Sequence, residues 1–403
     1  MTAWPQYDDE QIADVVSVLR SGKVNAWTGP HVAEFEAAYA NFLGRKHAVA
    51  VANGTVALDL ALHVIELQPG DEVIVTPRSF VASAACVPLA GGVPVFAEID
   101  RNSQNITAAT IAEKITPKTK AVIVVHLGGW PCEMDPICEL ARQNGILVIE
   151  DCAQAHGAHY QGRPVGAFGD IAAFSFCQDK IITTGGEGGL LAMDDEQFWK
   201  SAWSHKDHGK SYDSVFNADH PPGFRWLHES FGTNWRMTAV QAVLGTRQLE
   251  RLPGWHEIRT RNANILIEAC RDLDVLRTPL PDQHSGHAWY RFCTFVRPDR
   301  LKPGWSRDRM MSEINDLGIP CFSGSCSEIY LEIAFAQHGY GPGERLPIAR
   351  ELGETSLAFL VDPCQDKAAM GRAAAGLRAV AGAASAECEG TADQVSDINL
   401  RAR

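Results

Sequence analysis

At 403 residues, 45% hydrophobic and 21% charged, the chain can bury a large core and should form two domains. Its formal net charge of −13 at pH 7 argues against general binding to nucleic acid or to an anionic membrane. Eleven cysteines with no Cys-x-x-Cys pair and no zinc-like spacing read as reduced thiols in a cytoplasmic protein without a metal site; neither a signal peptide nor a membrane span is evident.

In chain order, residues 8–20 and 31–43 have the apolar stripes of amphipathic helices. The strand AVAVA (48–52) meets Asn53-Gly54-Thr55 and a helical run, a junction where unpaired N–H groups can hold an anion or where Asn53 or Thr55 simply caps the helix. Strands are expected at 72–77, 93–99, 121–127, 146–151 and 171–176, with helices at 81–90, 108–115 and 134–144 between them. These strands are continuous apolar runs, which argues for a parallel sheet covered by helices on both faces. Ligands of such sheets bind beyond the C-terminal strand ends. The polar and aromatic residues there are Asn53, Arg78 and Phe80, His126, Asp151 and Lys180.

Residues 209–235 read as a loop, followed by two helices, 237–252 and 256–272. A strand at 287–296 and helices at 306–316, 346–357 and 366–380 form a smaller α+β unit. The expected division is a large domain, 1–252, a small C-terminal domain, 253–383, and a disordered tail, 384–403.

The chemistry centres on IAAFSFCQDKIITTGGEGG (171–189). An apolar strand delivers Lys180 to a sheet edge, where burial would lower its pKa and free the amine to bond a carbonyl cofactor. Asp151 ends another buried strand, and a carboxylate there needs a cationic partner, such as a protonated pyridine nitrogen, or several donors. Phe80 can stack on a flat ring, Ser175 can bond a phosphate, and His126 and His156 can serve as acid or base. Taken singly, each of these residues has a plainer explanation as a surface lysine, a turn-capping aspartate or a core side chain.

Their joint order resembles the DegT/DnrJ/EryC1/StrS family of sugar aminotransferases. The resemblance is carried by WTGPHVAEFE (27–36), ANGTVALDLAL (52–62), GDEVIVTPRSFVASA (70–84), VHLGGWPCEMDPI (125–137), VIEDCAQAHGA (148–158), FSFCQDKIITTGGEGG (174–189) and TNWRMTAVQA (233–242), and spans roughly residues 10–380. It implies a fold type I α/β architecture, with a mainly parallel sheet sandwiched by helices and a smaller C-terminal α+β domain. It also implies pyridoxal 5'-phosphate as cofactor, with pyridoxamine 5'-phosphate as the form between half-reactions. Lys180 would be the Schiff-base lysine and proton carrier. Asp151 would pair with the pyridine nitrogen, Gln154 would lie beside the phenolic oxygen, and Phe80 would stack on the ring. Gly54, Thr55 and Ser175 would hold the phosphate. Asn234 would reach the phosphate site of the partner subunit, making the active unit a homodimer.

Three positions depart from the family pattern: Trp235, where tyrosine is usual; Cys177-Gln178-Asp179, where a His or Tyr and a Pro are common; and the loop CFSGSCSEIYLE (321–332), which lacks a His- and Tyr-rich pattern. Members with histidine at the lysine position act as dehydratases, so Lys180 favours transamination. The expected reaction moves an amino group from L-glutamate or L-glutamine to a keto sugar, preferably nucleotide-linked, with His126, Arg225 and Arg236 as substrate contacts. The alternatives are a keto cyclitol acceptor, a non-catalytic cofactor-binding regulator of the same fold, and a desulfurase using Cys321 or Cys326.

Overall fold

The computed structural model describes residues 4–219 and 226–386. In chain order the strands are β1 (His47–Val51), β2 (Glu72–Val75), β3 (Val93–Phe96), β4 (Thr119–Val125), β5 (Leu147–Asp151), β6 (His159–Tyr160), β7 (Arg163–Pro164), β8 (Ile171–Ser175), β9 (Gly189–Met193), β10 (Leu276–Arg277), β11 (Ser285–Gly286), β12 (Phe292–Val296), β13 (Cys321–Phe322) and β14 (Ser356–Phe359).

Seven strands form the central sheet in the order β1-β9-β8-β5-β4-β2-β3. β8, β5, β4, β2 and β3 are parallel neighbours. β9 is antiparallel to both β1 and β8, so it alone runs against the others. The sequence reading did not place β9. Its five residues, GLLAM, are an apolar run too short to separate strand from helix, and only pairing with β1 and β8 makes it a strand. The pairing Ser175↔Gly189 makes β8 and β9 a hairpin whose long connection carries Lys180.

The sheet core is rich in β-branched residues, with Val73, Ile74, Val75, Val122, Ile123, Ile149 and Ile171 fully buried. A second sheet, β10-β12-β14-β13, is antiparallel throughout. It packs with the helices Arg307–Asp316 and Lys367–Ala384 around Phe292, Phe359, Met310, Ile314 and Leu377.

One helix, Ala239–Cys270, replaces the two expected on either side of Pro253-Gly254. Proline at 253 removes one N–H bond, yet turns on both sides are held by packing against Asp9–Ser21, His31–Leu43 and Lys367–Ala384, and tertiary contact overrides the local break. The expected division at 252/253 falls inside this helix. The helix Lys367–Ala384 runs to the first residue of the expected tail, and Ala386 N–H bonds the Arg300 carbonyl at 2.9 Å; residues 387–403 lie outside the described residues. No described helix is long and apolar enough to cross a membrane.

Candidate active site

Two adjoining compartments open at the C-terminal edge of the parallel strands. The inner one, about 550 Å³, is lined by Asn53, Gly54, Thr55, Phe80, Asp151, Gln154, Ser175, Lys180 and Trp235, among others. The outer one, about 460 Å³, shares Phe80, Gln154, Asp179 and Lys180 and is closed by Tyr290, Arg291, Cys293, Phe322 and Gly324 to Cys326.

One end of the inner compartment is built by the start of the helix Gly54–Val64. Asn53 caps it, its side chain accepting the Val56 N–H at 3.0 Å, so the first turn keeps outward-facing donors. Gly54 is required by contact: a Cβ there would lie 2.5 Å from Ser175 Cβ. Gly189 is required likewise, because its Cβ would lie 2.2 Å from the Asn53 carbonyl oxygen. The glycine run after Lys180 thus lets β9 pass beneath the cap of this helix.

Asp151 ends β5 with its carboxylate buried. Ser83 Oγ donates to Oδ2 at 2.7 Å and Ala153 N–H donates to Oδ1 at 3.1 Å. Ser79 Oγ lies 2.9 Å from Ser83 Oγ and extends the chain of hydroxyls. Each carboxylate oxygen keeps acceptor capacity towards the cavity it lines. Gln154 Oε1 accepts the Gly128 N–H at 2.8 Å, which fixes its orientation. Phe80 is 64% exposed at the mouth, where its ring is free to stack on a flat group.

Lys180 Nζ lies 3.7 Å from Asp179 Oδ1 and 5.2 Å from the centre of the Tyr290 ring. The Tyr290 hydroxyl donates to Asp179 Oδ2. The Lys180 pKa is raised, not lowered as the sequence led us to expect. Burial does pull it down, but Tyr290, Asp179 and Asp151 oppose that pull and hold it above its ordinary value. The Trp4 indole donates to the Lys180 carbonyl at 2.8 Å, anchoring the lysine's own backbone.

The two histidines are structural. His156 Nε2–H donates to the Ser175 carbonyl at 2.8 Å, which leaves Nδ1 to accept the Tyr39 hydroxyl at 2.6 Å. Burial pushes its pKa down to about 3, so it stays neutral and positions Ser175. His126, expected on the substrate side, is fully buried and lines neither compartment. Its Nδ1 accepts the Cys132 N–H at 3.0 Å and its Nε2 bonds Glu150 at 3.1 Å. With Cys152 they form a cluster of metal-ligand type within 4.8 Å. Glu150 is already filled, however, by the N–H groups of Gly166, Phe168 and Gly169, and it serves to pin that loop.

Arg236, also expected to meet substrate, bonds Asp207 at 2.6 Å and lines neither compartment. Arg225 lies outside the described residues. Asn234 is exposed and lines neither compartment of its own chain. Ser79, Ser83, Tyr290, Arg291 and Trp4 were not singled out from the sequence. The two serines carried a signal, since they sit four apart around Phe80 in the 70–84 motif; the others lie more than a hundred residues from Lys180 and carried none.

A sequence model of the DegT/DnrJ/EryC1/StrS aminotransferase family matches residues 5–367. The chain belongs to this family. It is an aminotransferase of fold type I architecture. It is 38% identical over 314 residues to the spore coat polysaccharide biosynthesis protein SpsC of Bacillus subtilis, covering 77% of this chain and 79% of that one. It is 43% identical over 265 residues to the GDP-perosamine synthase of Caulobacter vibrioides, covering 63% and 68%. Among solved structures, an aminotransferase from Psychrobacter cryohalolentis superposes with a TM-score of 0.93 at 50% identity, covering 95% of this chain and 99% of that one.

Proposed function

We propose that this family member uses pyridoxal 5'-phosphate to move an amino group from L-glutamate or L-glutamine to a nucleotide-linked keto sugar, as a cytoplasmic homodimer in amino-sugar biosynthesis. The observation that carries this is the lining of one cavity by Lys180, Asp151 and the start of the helix Gly54–Val64. A relative named GDP-perosamine synthase and one named for polysaccharide biosynthesis support a sugar acceptor.

The residues present fit the cofactor. Asp151 keeps acceptor capacity for a protonated ring nitrogen. The Gly54 and Thr55 N–H groups and Ser175 suit a phosphate, and exposed Phe80 suits a ring face. When bound, the cofactor supplies a ring that accepts the electron pair left as the donor loses its α-proton. Asp151 holds the charge that makes this ring electron-poor. Lys180 Nζ would anchor the group until the donor amine displaces it, and the freed amine would then take the proton from the donor α-carbon and, in the second half-reaction, deliver one to the acceptor carbon. Gln154, held in place by its bond to Gly128, would lie beside the ring. Asn234 acts on the partner's phosphate site. The products are a keto acid and an amino sugar.

Reduction with borohydride after loading with pyridoxal phosphate should place the label on Lys180. Glutamate and glutamine are then tested against nucleotide-linked 3-keto and 4-keto sugars and free keto cyclitols. Label on another residue overturns the site. Amination of cyclitols alone overturns the sugar acceptor.

A further inference from the structure

The outer compartment is bounded by two guanidinium groups that no carboxylate answers. Arg291 makes no ion pair among the described residues; the one hydrogen bond of its guanidinium is to the Tyr290 carbonyl at 3.0 Å. Its Cζ lies over the Tyr290 ring, 4.2 Å from the ring centre. Arg78 lies under the floor, only 1% exposed, bonded to Gln104 at 2.9 Å, Ser356 at 3.0 Å and the Ser325 carbonyl at 3.4 Å. Burying a cation without a counter-ion is costly, and the nearest relief is an anion in the cavity above it.

The carboxylates nearby are committed. Asp179 receives the Tyr290 hydroxyl on one oxygen and faces Lys180 with the other. Glu332 sits on the exposed rim against the Cys326 thiol. Two positive groups line the outer compartment, Lys180 and Arg291, and of these the Arg291 guanidinium has no carboxylate partner and keeps unused donors.

We infer that Arg291 receives the α-carboxylate of the amino donor. The inference rests on the transamination proposed above. Lys180 Nζ and the Arg291 guanidinium are held over the same phenol ring, at 5.2 and 4.2 Å from its centre. A donor carbon at the amine carries its α-carboxylate one bond away, within reach across that ring. A sugar's diphosphate, separated from a keto carbon by the sugar ring, is less suited to so close a receptor. A planar guanidinium with a free edge takes a carboxylate through two parallel bonds, which an ammonium cannot do. The backbone fixes the geometry: Gly128 O accepts the N–H of Tyr290 at 3.0 Å and of Arg291 at 3.3 Å, while Gly128 N–H holds Gln154. Arg291 is thus tied to the same peptide that orients Gln154.

The test uses Arg291→Met and Arg291→Lys in the full-length holoenzyme, with glutamate and with 4-aminobutyrate, which is glutamate without its α-carboxylate. Where glutamine is the donor, 4-aminobutanamide replaces 4-aminobutyrate. The donor KM should rise about ten- to a hundred-fold in Arg291→Met. Arg291→Lys should fall in between, and kcat and the acceptor KM should hold. The wild-type preference for glutamate over 4-aminobutyrate should shrink by the same factor, which a merely structural arginine would not cause. A donor KM within twofold of wild type, or a rise in the acceptor KM alone, overturns the inference. Absence of borohydride label on Lys180 in the wild type would instead overturn the function proposal, so the two failures are distinguishable.

Discussion

The inner and outer compartments share Lys180 but are built on different principles. The inner one is made by strand ends and the turns that follow them, so each of its groups is positioned by a few neighbouring residues. Asn53 caps its own helix, Ala153 bonds Asp151 two residues back, and Gly54 packs on Ser175. The outer one is assembled from a distance. Its floor is one face of the second sheet, where Cys293 and Phe322 both pair with Ala358, and its wall is tied to the first sheet by the Ser79 N–H bond to the Cys326 carbonyl at 3.1 Å. The groups proposed to react sit at strand ends of the first sheet and in the β8–β9 connection, and much of the surface proposed to meet the donor belongs to the second sheet.

Perturbing each compartment should give distinct losses. Lys180→Ala removes the proposed anchor and proton carrier together, and turnover should fall by about 10³-fold or more in a steady-state assay. Persistence of the wild-type rate would end the assignment. By contrast, Arg291→Met should keep the cofactor's colour and lose only donor affinity.

Gly54→Ala drives a Cβ into Ser175, an overpacking worth about 1–3 kcal/mol that falls on the phosphate end. Cofactor affinity should weaken about tenfold or more by titration. Unchanged affinity in Gly54→Ala would mean that this end of the cleft is empty in the holoenzyme.

Asp179 straddles the two compartments. Its charge helps hold Lys180 protonated, and only the neutral amine bonds a carbonyl. Asp179→Asn removes an effect that raises the lysine pKa and leaves burial to lower it. Loading with pyridoxal phosphate at pH 7 should therefore quicken several-fold, with the pH–rate curve displaced to lower pH. A curve displaced upward would contradict this sign.

The smallest effect concerns stability. The unfolded His156 imidazole takes a proton near its ordinary value of 6.5, and the folded one only at about 3. The unfolded state binds more protons across that window, so stability falls as pH drops from about 6.5 towards 3. The urea midpoint should fall less between pH 7 and 5 in His156→Gln than in wild type. Equal falls would assign the acid sensitivity elsewhere.

Most helix and strand positions were legible because caps, glycine stops and apolar runs are local: Asp8 caps Asp9–Ser21 with Gly22 after it, and the helices Met134–Asn144 and Arg307–Asp316 stand where their periodicity put them. What was misjudged depended on neighbours. β9 needed partners on both sides, the helix through Pro253 needed three helices against it, and His126 needed Glu150 to draw it inward. The direction of the Lys180 shift depended on the groups packed around its amine, among them Asp151 and Tyr290, which lie far from it in the chain.

The order of residues alone determined the aminotransferase family and the groups of the inner compartment, because an N-cap, a strand-end carboxylate and a lysine before a glycine turn are each set by adjacent residues. Only the tertiary structure decided the outer compartment and the protonation of Lys180. A charge responds to everything within a few ångströms, and Tyr290, Arg291 and Arg78 come that close only after two sheets have packed.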